Sequence, residues 1–458
     1  MFVAREKELL MIDEFLSGKG ALLVYGLRRV GKTTLITKAI EDSKRNYVYF
    51  ECQKTSEEKN VELLVDLLKE QVGFVDAKFS SFLPLIKEFN KTFSNYVVII
   101  DEYSLIKQYY LESKKPGYSE KADELDSEFQ TIVDQHTSNI NLIISGSSIH
   151  IMKQLVDYKN PLYGRFTSVI VLNEFNYLDA KKMLPKLSNQ DLIAFYSVFG
   201  GSPFVLEKIN QEKSLKENIC ELVLAEEGKL RSRLSNNVIN ELEGDVDLHE
   251  ILNVIKNGVK RYTTIEEQSH ITTSGLLDKK LTKLLDLGII ETIFPIGMES
   301  GKRKKYYQIK DNLLKFYYAY VFRQDNRIKL LSPSRYFDLY IHPSLNEFIS
   351  RRFESIVRDY FSIALSKGKY DQIIDLGSYF SSDNEYDCVF KKSNNKYSVY
   401  EVKHYSKPMT LKDQKEELKK IKTIQGLDID EVGMVCSSSF VEKMDGVQYL
   451  DLKDIFFE

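Results

Sequence analysis

The sequence predicts a mainly parallel, three-layer α/β domain in its N-terminal part, and three observations predict it. The apolar run Ala21–Tyr25 passes directly into Gly26-Leu27-Arg28-Arg29-Val30-Gly31-Lys32-Thr33 and then into a segment with helical spacing. A second unbroken apolar run, Tyr96 to Ile100, closes on Asp101-Glu102. Runs that are apolar at every position suit strands buried on both faces, as parallel strands are, whereas one-sided strands alternate. Third, such runs recur between helical patterns over roughly 170 residues, the alternation that builds a sheet covered on both sides by helices.

Taken in order, Arg5 to Ser17 reads as a helix, with Leu9, Leu10, Ile12, Phe15 and Leu16 at apolar positions and Gly18 to Gly20 closing it. Tyr47 to Phe50 is a second strand, Val61 to Leu68 a helix, and Asn141 to Ile144 a strand ending in Ser145-Gly146-Ser147-Ser148. Ser168 to Leu172 is the last strand of the block, and the mixed-charge stretch Lys114 to Asp126 reads as a loop near the site. From Asn173 the pattern is helical, broken at Gly200-Gly201-Ser202-Pro203, where two glycines and a proline end one helix and start another. The predicted boundaries are 1–172 for the α/β core, 173–245 for a helical lid, 246–322 for a third module, 323–342 for a linker and 343–458 for a C-terminal α/β domain.

The first glycine-rich segment is a phosphate-binding loop in its proper setting, so a P-loop NTPase core that binds ATP with Mg²⁺ is expected. Gly26 and Gly31 let the backbone turn its N–H groups toward phosphate oxygens, and the helix N-terminus adds the positive end of its dipole. Arg29, Val30, Lys32, Thr33 and Thr34 complete the predicted nucleotide contacts, with Lys32 on the β- and γ-phosphates and the Thr33 hydroxyl on Mg²⁺. Carboxylates at the C-terminal end of a parallel strand face the ligand crevice. Asp101 is therefore expected to hold Mg²⁺ through water and Glu102 to polarise the attacking water, which favours hydrolysis over nucleotide storage.

With 458 residues, 43% hydrophobic and 29% charged, the chain is long and apolar enough for about three domains and is neither disordered nor fibrous. A net charge of −3 puts no global basic field around it, so nucleic-acid contact has to come from local patches. No apolar run approaches the ~20 residues that span a bilayer, and a cytoplasmic protein without membrane contact is expected. Cys52, Cys220, Cys388 and Cys436 are far apart and suggest neither zinc nor a disulfide framework.

The third module carries a helix at Ile251 to Ile255, a capping-box pattern at Thr263 to Glu266, a helix at Leu276 to Leu287, and strands at Ile289 to Ile293 and Lys305 to Ile309. Between the strands lies Lys302-Arg303-Lys304-Lys305. This is the outline of a winged helix-turn-helix, whose basic tip would lie on DNA phosphates while Thr272, Thr273 and Ser274 precede the helix aimed at the major groove.

In the last domain a helix from Asn346 to Leu365 carries Glu354 among apolar residues, and a hairpin follows, Glu385 to Phe390 and Tyr397 to Lys403, around Ser393-Asn394-Asn395. Glu401 and Lys403, two apart on a strand, share a face. A three-residue turn at 393–395 opposes Asp387 to Glu401 with Cβ atoms about 5 Å apart, a spacing that suits a shared Mg²⁺ or Mn²⁺ with Lys403 beside it. A two-residue turn at Asn394-Asn395 opposes Asp387 to Val402 and spoils the site.

Together, Phe2-Val3-Ala4-Arg5-Glu6, the GLRRVGKT loop, Asp101-Glu102, Gly146-Ser147-Ser148, Pro161-Leu162-Tyr163-Gly164-Arg165 and Gly200-Gly201-Ser202-Pro203 resemble the archaeal-type ATPase family of the STAND-related AAA+ branch. Many members of that family carry a winged helix and a C-terminal domain similar to PD-(D/E)xK restriction-endonuclease-like folds. The resemblance implies a strand between the phosphate-loop strand and the Asp101-Glu102 strand, Arg5 and Ser147 at the nucleotide, and Arg165 on the triphosphate in cis or from a neighbouring copy of a homo-oligomer. It maps Glu354, Asp387, Glu401 and Lys403 onto the nuclease pattern, although Tyr386 stands where the pattern has proline. Two readings follow: an ATPase that couples nucleotide state to DNA contact and metal-dependent DNA cleavage, used in control of or defence against mobile DNA, or an ATP-driven switch that binds DNA or protein through an inactive nuclease-like domain.

Overall fold

The computed structural model describes residues 2–457 except 76, 114, 138, 232–241, 243, 272, 274, 297–304, 371, 381–384 and 425. Two compact units divide it, Met1–Glu174 with Asp286–Gly288, and Phe175–Leu285 with Ile289–Glu458.

The first unit is built on five parallel strands, β1 (Gly20–Tyr25), β2 (Tyr47–Glu51), β3 (Val97–Asp101), β4 (Asn141–Gly146) and β5 (Ser168–Val171), in the order β2-β3-β4-β1-β5. The strand between β1 and β3 is therefore β4. Side chains alternate across each strand. Leu22 and Val24 pack toward the helices α1 (Glu6–Ser17) and α2 (Lys32–Ser43), while Ala21, Leu23 and Tyr25 pack on the opposite face. That second face is covered by α3 (Glu57–Val72), α4 (Phe82–Thr92), α5 (Ser104–Glu112) and α6 (Tyr118–His136). Two-sided burial is what the unbroken apolar runs require.

Two local readings are corrected. The Lys114 to Asp126 stretch is helical from Tyr118, and α4, whose Pro84 sits in the first turn where it costs no helical hydrogen bond, went unread.

The N-terminus of α4 is held by two carboxylates from neighbouring helices. Glu57 accepts from Phe82 N–H at 3.1 Å, and Glu128 accepts from Leu83 N–H and the Ser81 hydroxyl. Burial, then a hydrogen bond shared with Glu128 and that carboxylate's charge, push Glu57 up to about 9 from its ordinary 4.5. The folded state thus keeps a proton that the unfolded chain releases, so its stabilisation is complete below pH 4.5 and is lost as pH rises through 9. Glu57→Gln keeps the shape without the titration, and should raise stability at pH 8 by about 1–2 kcal/mol after solvent screening while flattening the pH dependence. Melting curves of the two proteins from pH 5 to 9 check this. Parallel pH profiles would show that the pair does not share a proton.

The second unit begins with short helices, Tyr177–Met183, Asn189–Phe199 and Pro203–Leu206, with the predicted break at Gly200 to Pro203. Gly201 is required there because any side chain would collide with the Phe175 backbone. The segment expected as a lid groups with this unit, not with the α/β core. Next come the helices Val246–Ile255, Tyr262–Ser269 and Leu276–Asp286, with β6 (Lys260–Arg261), β7 (Ile290–Ile293) and β8 (Tyr306–Ile309) forming an antiparallel sheet in the order β6-β8-β7. The Thr263 capping box is not formed, since the Tyr262–Ser269 helix starts two residues earlier than that box requires, with Arg261 at its uncapped N-terminus. Lys302 to Lys304, Thr272 and Ser274 lie outside the described residues. Residues 323–342, read as a linker, are largely helical, with Asp325–Leu330, Pro333–Tyr336 and a π-helical turn Phe337–Ile341 running into the His342–Ser366 helix.

The C-terminal sheet has the order β13-β12-β11-β10-β9, from β9 (Ile373–Phe380), β10 (Glu385–Lys392), β11 (Tyr397–Lys403), β12 (Ile429–Cys436) and β13 (Val447–Leu450). β9, β10 and β11 form an antiparallel meander, and β12 and β13 add in parallel after the Leu411–Ile421 helix crosses over. Pro295 bridges to Ser378 of β9, and the Tyr306 ring stacks on Phe380 at 4.2 Å, so the three-stranded sheet docks on the edge of the C-terminal one.

Candidate functional site

At the end of β1 the chain makes the phosphate-binding turn for reasons visible in its backbone. A Cβ on Gly26 would overlap the Leu172 carbonyl, because the two strand ends close to 2.7 Å through Leu172 N–H and the Tyr25 carbonyl. Gly31 sits at φ 95°, open to solvent but left-handed, where glycine carries no steric penalty. It precedes α2, whose N-terminus has no side-chain cap and no acidic residue in its first turn. The orphan N–H groups and dipole of that turn are a ready anion site.

Lys32 is 6% exposed, and its ammonium donates to the loop's own carbonyls, Gly26 at 3.0 Å and Leu27 at 3.1 Å. Burial depresses its pKa, opposed by the charges of Glu102 and Asp101. Val30 is buried between α1 and α2 and anchors the loop, while Arg29, Thr33 and Thr34 are exposed around it. Arg5 braces it from below, donating to the Val30 carbonyl at 3.2 Å and the Asn173 carbonyl at 2.5 Å, and pairing with Glu8 at 3.3 Å. In this chain Arg5 ties the loop to the end of β5.

Asp101 is 2% exposed and is the hub of the site. Its Oδ2 accepts from the Thr33 hydroxyl at 3.0 Å and from the Tyr49 hydroxyl, and its Oδ1 accepts from the Ser145 hydroxyl and from Glu102 N–H at 2.9 Å. Thr33 and Asp101, hard oxygen donors in direct contact, fit the needs of Mg²⁺. Glu102 adopts φ 52°, an unusual left-handed conformation for a non-glycine residue. Its Oε2 accepts from Ser147 N–H at 3.1 Å and the Ser147 hydroxyl at 2.7 Å, and Arg28 Nε reaches that hydroxyl at 3.4 Å. Tyr49 and Ser145 were missed by sequence reasoning. The available signal was a polar residue within an otherwise apolar strand, as Ser145 is in β4.

Arg165 lies elsewhere. Its Nε pairs with Asp134 at 3.0 Å and its Nη1 donates to the Pro161 carbonyl at 2.7 Å. Two residues on, Thr167 N–H bonds the Ala21 carbonyl at the start of β1, whereas the phosphate loop follows Tyr25 at the other end. Four strand residues separate those points by about 13 Å. That span exceeds an arginine side chain, so in this arrangement Arg165 stands away from the phosphate loop of its own chain.

In the C-terminal sheet, β10 and β11 pair as Cys388 with Tyr400 and Lys391 with Tyr397, and Lys392 N–H bonds the Lys396 carbonyl at 2.8 Å. The loop is the three-residue one, with Asn395 at φ 61°. Continued one step, that register sets Asp387 across from Glu401 on the backbone; the Asp387 side chain lies outside the described residues. Lys403 donates to Glu401 and lies 3.5 Å from Glu417. Burial works against its charge, yet the two carboxylates hold its pKa above the ordinary value. Glu354 is half-buried on the His342–Ser366 helix. Among the described residues no group of three or more His, Cys, Asp and Glu side chains converges on a metal position.

Two stretches of the chain match known families. Residues 2–209 match the family model of an ATPase domain predominantly from Archaea, and residues 317–421 match a family of archaeal and bacterial proteins of unknown function. An uncharacterized protein of Methanocaldococcus jannaschii is 27% identical over 412 residues, covering 88% of this chain and 87% of the relative. Among solved structures, a Walker-type ATPase of Pyrococcus abyssi aligns with a TM-score of 0.51 at 18% identity, covering 69% of this chain and 96% of that one, a likeness of fold. The Aeropyrum pernix ORC2 protein aligns at 0.44 and 12% identity over 71% of this chain and 94% of that one. No helix among the described residues is long and apolar enough to cross a membrane.

Proposed function

We propose that this chain, which carries an archaeal-type ATPase domain in its N-terminal part, hydrolyses ATP with Mg²⁺ and couples nucleotide state to DNA contact and metal-dependent DNA cleavage in its C-terminal part. The observation that carries the first half is the junction of Thr33, Asp101 and Glu102. A hydroxyl and a carboxylate suited to Mg²⁺ stand beside a second carboxylate, all at the mouth of an uncapped helix N-terminus. When bound, Mg²⁺ would neutralise charge on the phosphates. The chain's own contribution is Lys32 on the phosphates, Asp101 fixed by four donors, and Glu102 placed to orient water.

Arg165 is read as acting on the nucleotide of a neighbouring copy. Beside it, Tyr158 and Tyr163 expose 81% and 52% of their surface with rings 6.1 Å apart, an aromatic pair that a single chain leaves in water and that interfaces favour. DNA contact through a winged helix is supported by helices alternating with a β6-β8-β7 sheet. Cleavage is supported by the antiparallel meander with parallel additions and by the backbone register of Asp387 and Glu401, with Lys403 on the latter. Two hard carboxylates and a flanking ammonium fit a Mg²⁺ or Mn²⁺ site held by Asp387 and Glu401, with Glu354 a further candidate.

Incubation of plasmid DNA with the protein, ATP and Mn²⁺ tests this. Nicking is expected, and Asp387→Ala should abolish it, by roughly 10³-fold or more, while ATP hydrolysis persists. Hydrolysis without nicking by the unaltered protein would leave the second reading, a nucleotide switch that grips DNA or a protein partner.

A further inference from the structure

Between the end of the Val246–Ile255 helix, the Asn312–Tyr320 helix and the first turns of the His342–Ser366 helix lies a cleft of about 260 Å³. It is lined by Lys256, Arg351 and Arg352, the hydroxyls of Tyr320 and Ser344, and Glu347. None of these residues belongs to the nucleotide site or to the C-terminal hairpin.

Arg352 is the notable member, because at 4% exposure its guanidinium has no carboxylate partner among the described residues. Of its five N–H donors, one reaches a partner among the described residues, the Phe348 carbonyl at 3.4 Å, and its plane lies over the Phe348 ring at 4.5 Å. An unpaired buried cation is costly. Burial, followed by the charge of Arg351, holds its pKa down at about 10, with the charge of Glu354 pulling the other way. Lys315 on the Asn312–Tyr320 helix is equally buried, its ammonium 3.5 Å from the Asn312 side chain, and the charge of Arg352 works against its own while Glu291 and Asp311 support it. Lys256 is also depressed by burial. The single acidic residue of the lining, Glu347, pairs with Arg351 at 2.5 Å where both are substantially exposed, a pairing water readily replaces.

We infer that this cleft is an anion site that binds a phosphoryl group, with Arg352 as the planar fork, Arg351 and Lys256 as the flanking charges and the Tyr320–Ser344 hydroxyl pair as further donors. Those hydroxyls are 3.0 Å apart, so one can turn to the ligand without leaving the other unpaired. A guanidinium fork matches phosphate oxygens two at a time. The volume lies below the 300–1,000 Å³ of whole-ligand pockets, which suits one phosphoryl group and the start of its ester. That group arrives on a free nucleotide or on a nucleic-acid backbone, and the chemistry of capture is the same.

The test uses the full chain with Lys32→Ala, which removes the lysine from the phosphate loop. Inorganic phosphate titrated by calorimetry should bind saturably. Arg351→Ala and Lys256→Ala, both at solvent-accessible positions, should each weaken it roughly tenfold, and Arg352→Lys should do the same through loss of the fork. Unchanged melting temperatures would show that the fold is intact. Repeating the titration with AMP and with a short DNA duplex identifies the source, because only the ligand that uses the cleft loses affinity in the Lys256→Ala, Arg351→Ala double variant. No saturable phosphate binding, or the same affinity for phosphate in the double variant, overturns the assignment.

Discussion

Lys32→Ala should abolish tight ATP binding while leaving the nucleotide-free protein as stable as before. The ammonium is buried against the Gly26 and Leu27 carbonyls with no direct carboxylate partner among the described residues, so in the empty state its removal costs little and relieves a desolvated charge. With ATP present the same position faces phosphate oxygens, where a missing charge-assisted partner leaves about 3–5 kcal/mol unmet, an affinity loss of roughly 10²- to 10⁴-fold. Calorimetry with ATP and a melting curve without it separate the two effects. Unchanged affinity would sink the assignment of the loop. Glu102→Gln makes the contrast: it retains the shape and the contacts to Ser147, so ATP should bind and persist with turnover down roughly 10²- to 10⁴-fold. Full turnover by that variant would mean that another residue activates the water.

Arg165→Ala should slow ATP hydrolysis by roughly 10³-fold or more with a much smaller change in binding, since an arginine delivered to the γ-phosphate acts mainly in the transition state. Its exposed pair with Asp134 adds at most about 1 kcal/mol to the fold, so the loss is not one of stability. Because Arg165 stands at the strand-start edge of the sheet, the proposed reading has it act on the nucleotide of another copy. Mixing Arg165→Ala chains with Lys32→Ala chains should therefore restore activity, as intact lysine from the first meets intact arginine from the second. No recovery in mixtures shown to form joint assemblies would remove Arg165 from the mechanism.

Much of this was legible in the residues. The phosphate loop, the acidic end of β3 and the parallel α/β architecture follow from local requirements. Glycines are needed where backbone must turn or approach closely, and strands buried on both faces must be apolar throughout. The β10–β11 hairpin was narrowed to two registers by its turn residues, and the backbone selected the three-residue loop. The linker reading of 323–342 failed because scattered charges there mark the outer faces of short helices, while Ile328, Tyr336 and Phe337 are buried. That distinction depends on what lies beneath the helices.

The sequence by itself determined the identity of the chemical groups, Lys32, Thr33, Asp101 and Glu102, since each follows from a contiguous motif whose neighbours dictate its geometry. Tertiary structure alone decided which groups meet across long separations. Tyr49 and Ser145 converge on Asp101 from strands 52 and 44 residues away in sequence, and Lys256, Tyr320 and Arg352 meet at one cleft from separate parts of the chain. It also decided that Arg165, so close to the last core strand in sequence, belongs to the edge away from its own nucleotide loop. The physical reason is that parallel strands return the chain to the same edge each time. A residue's distance from the site depends on where along its strand it falls, and strand order and pairing register are set by packing between segments that no local pattern encodes.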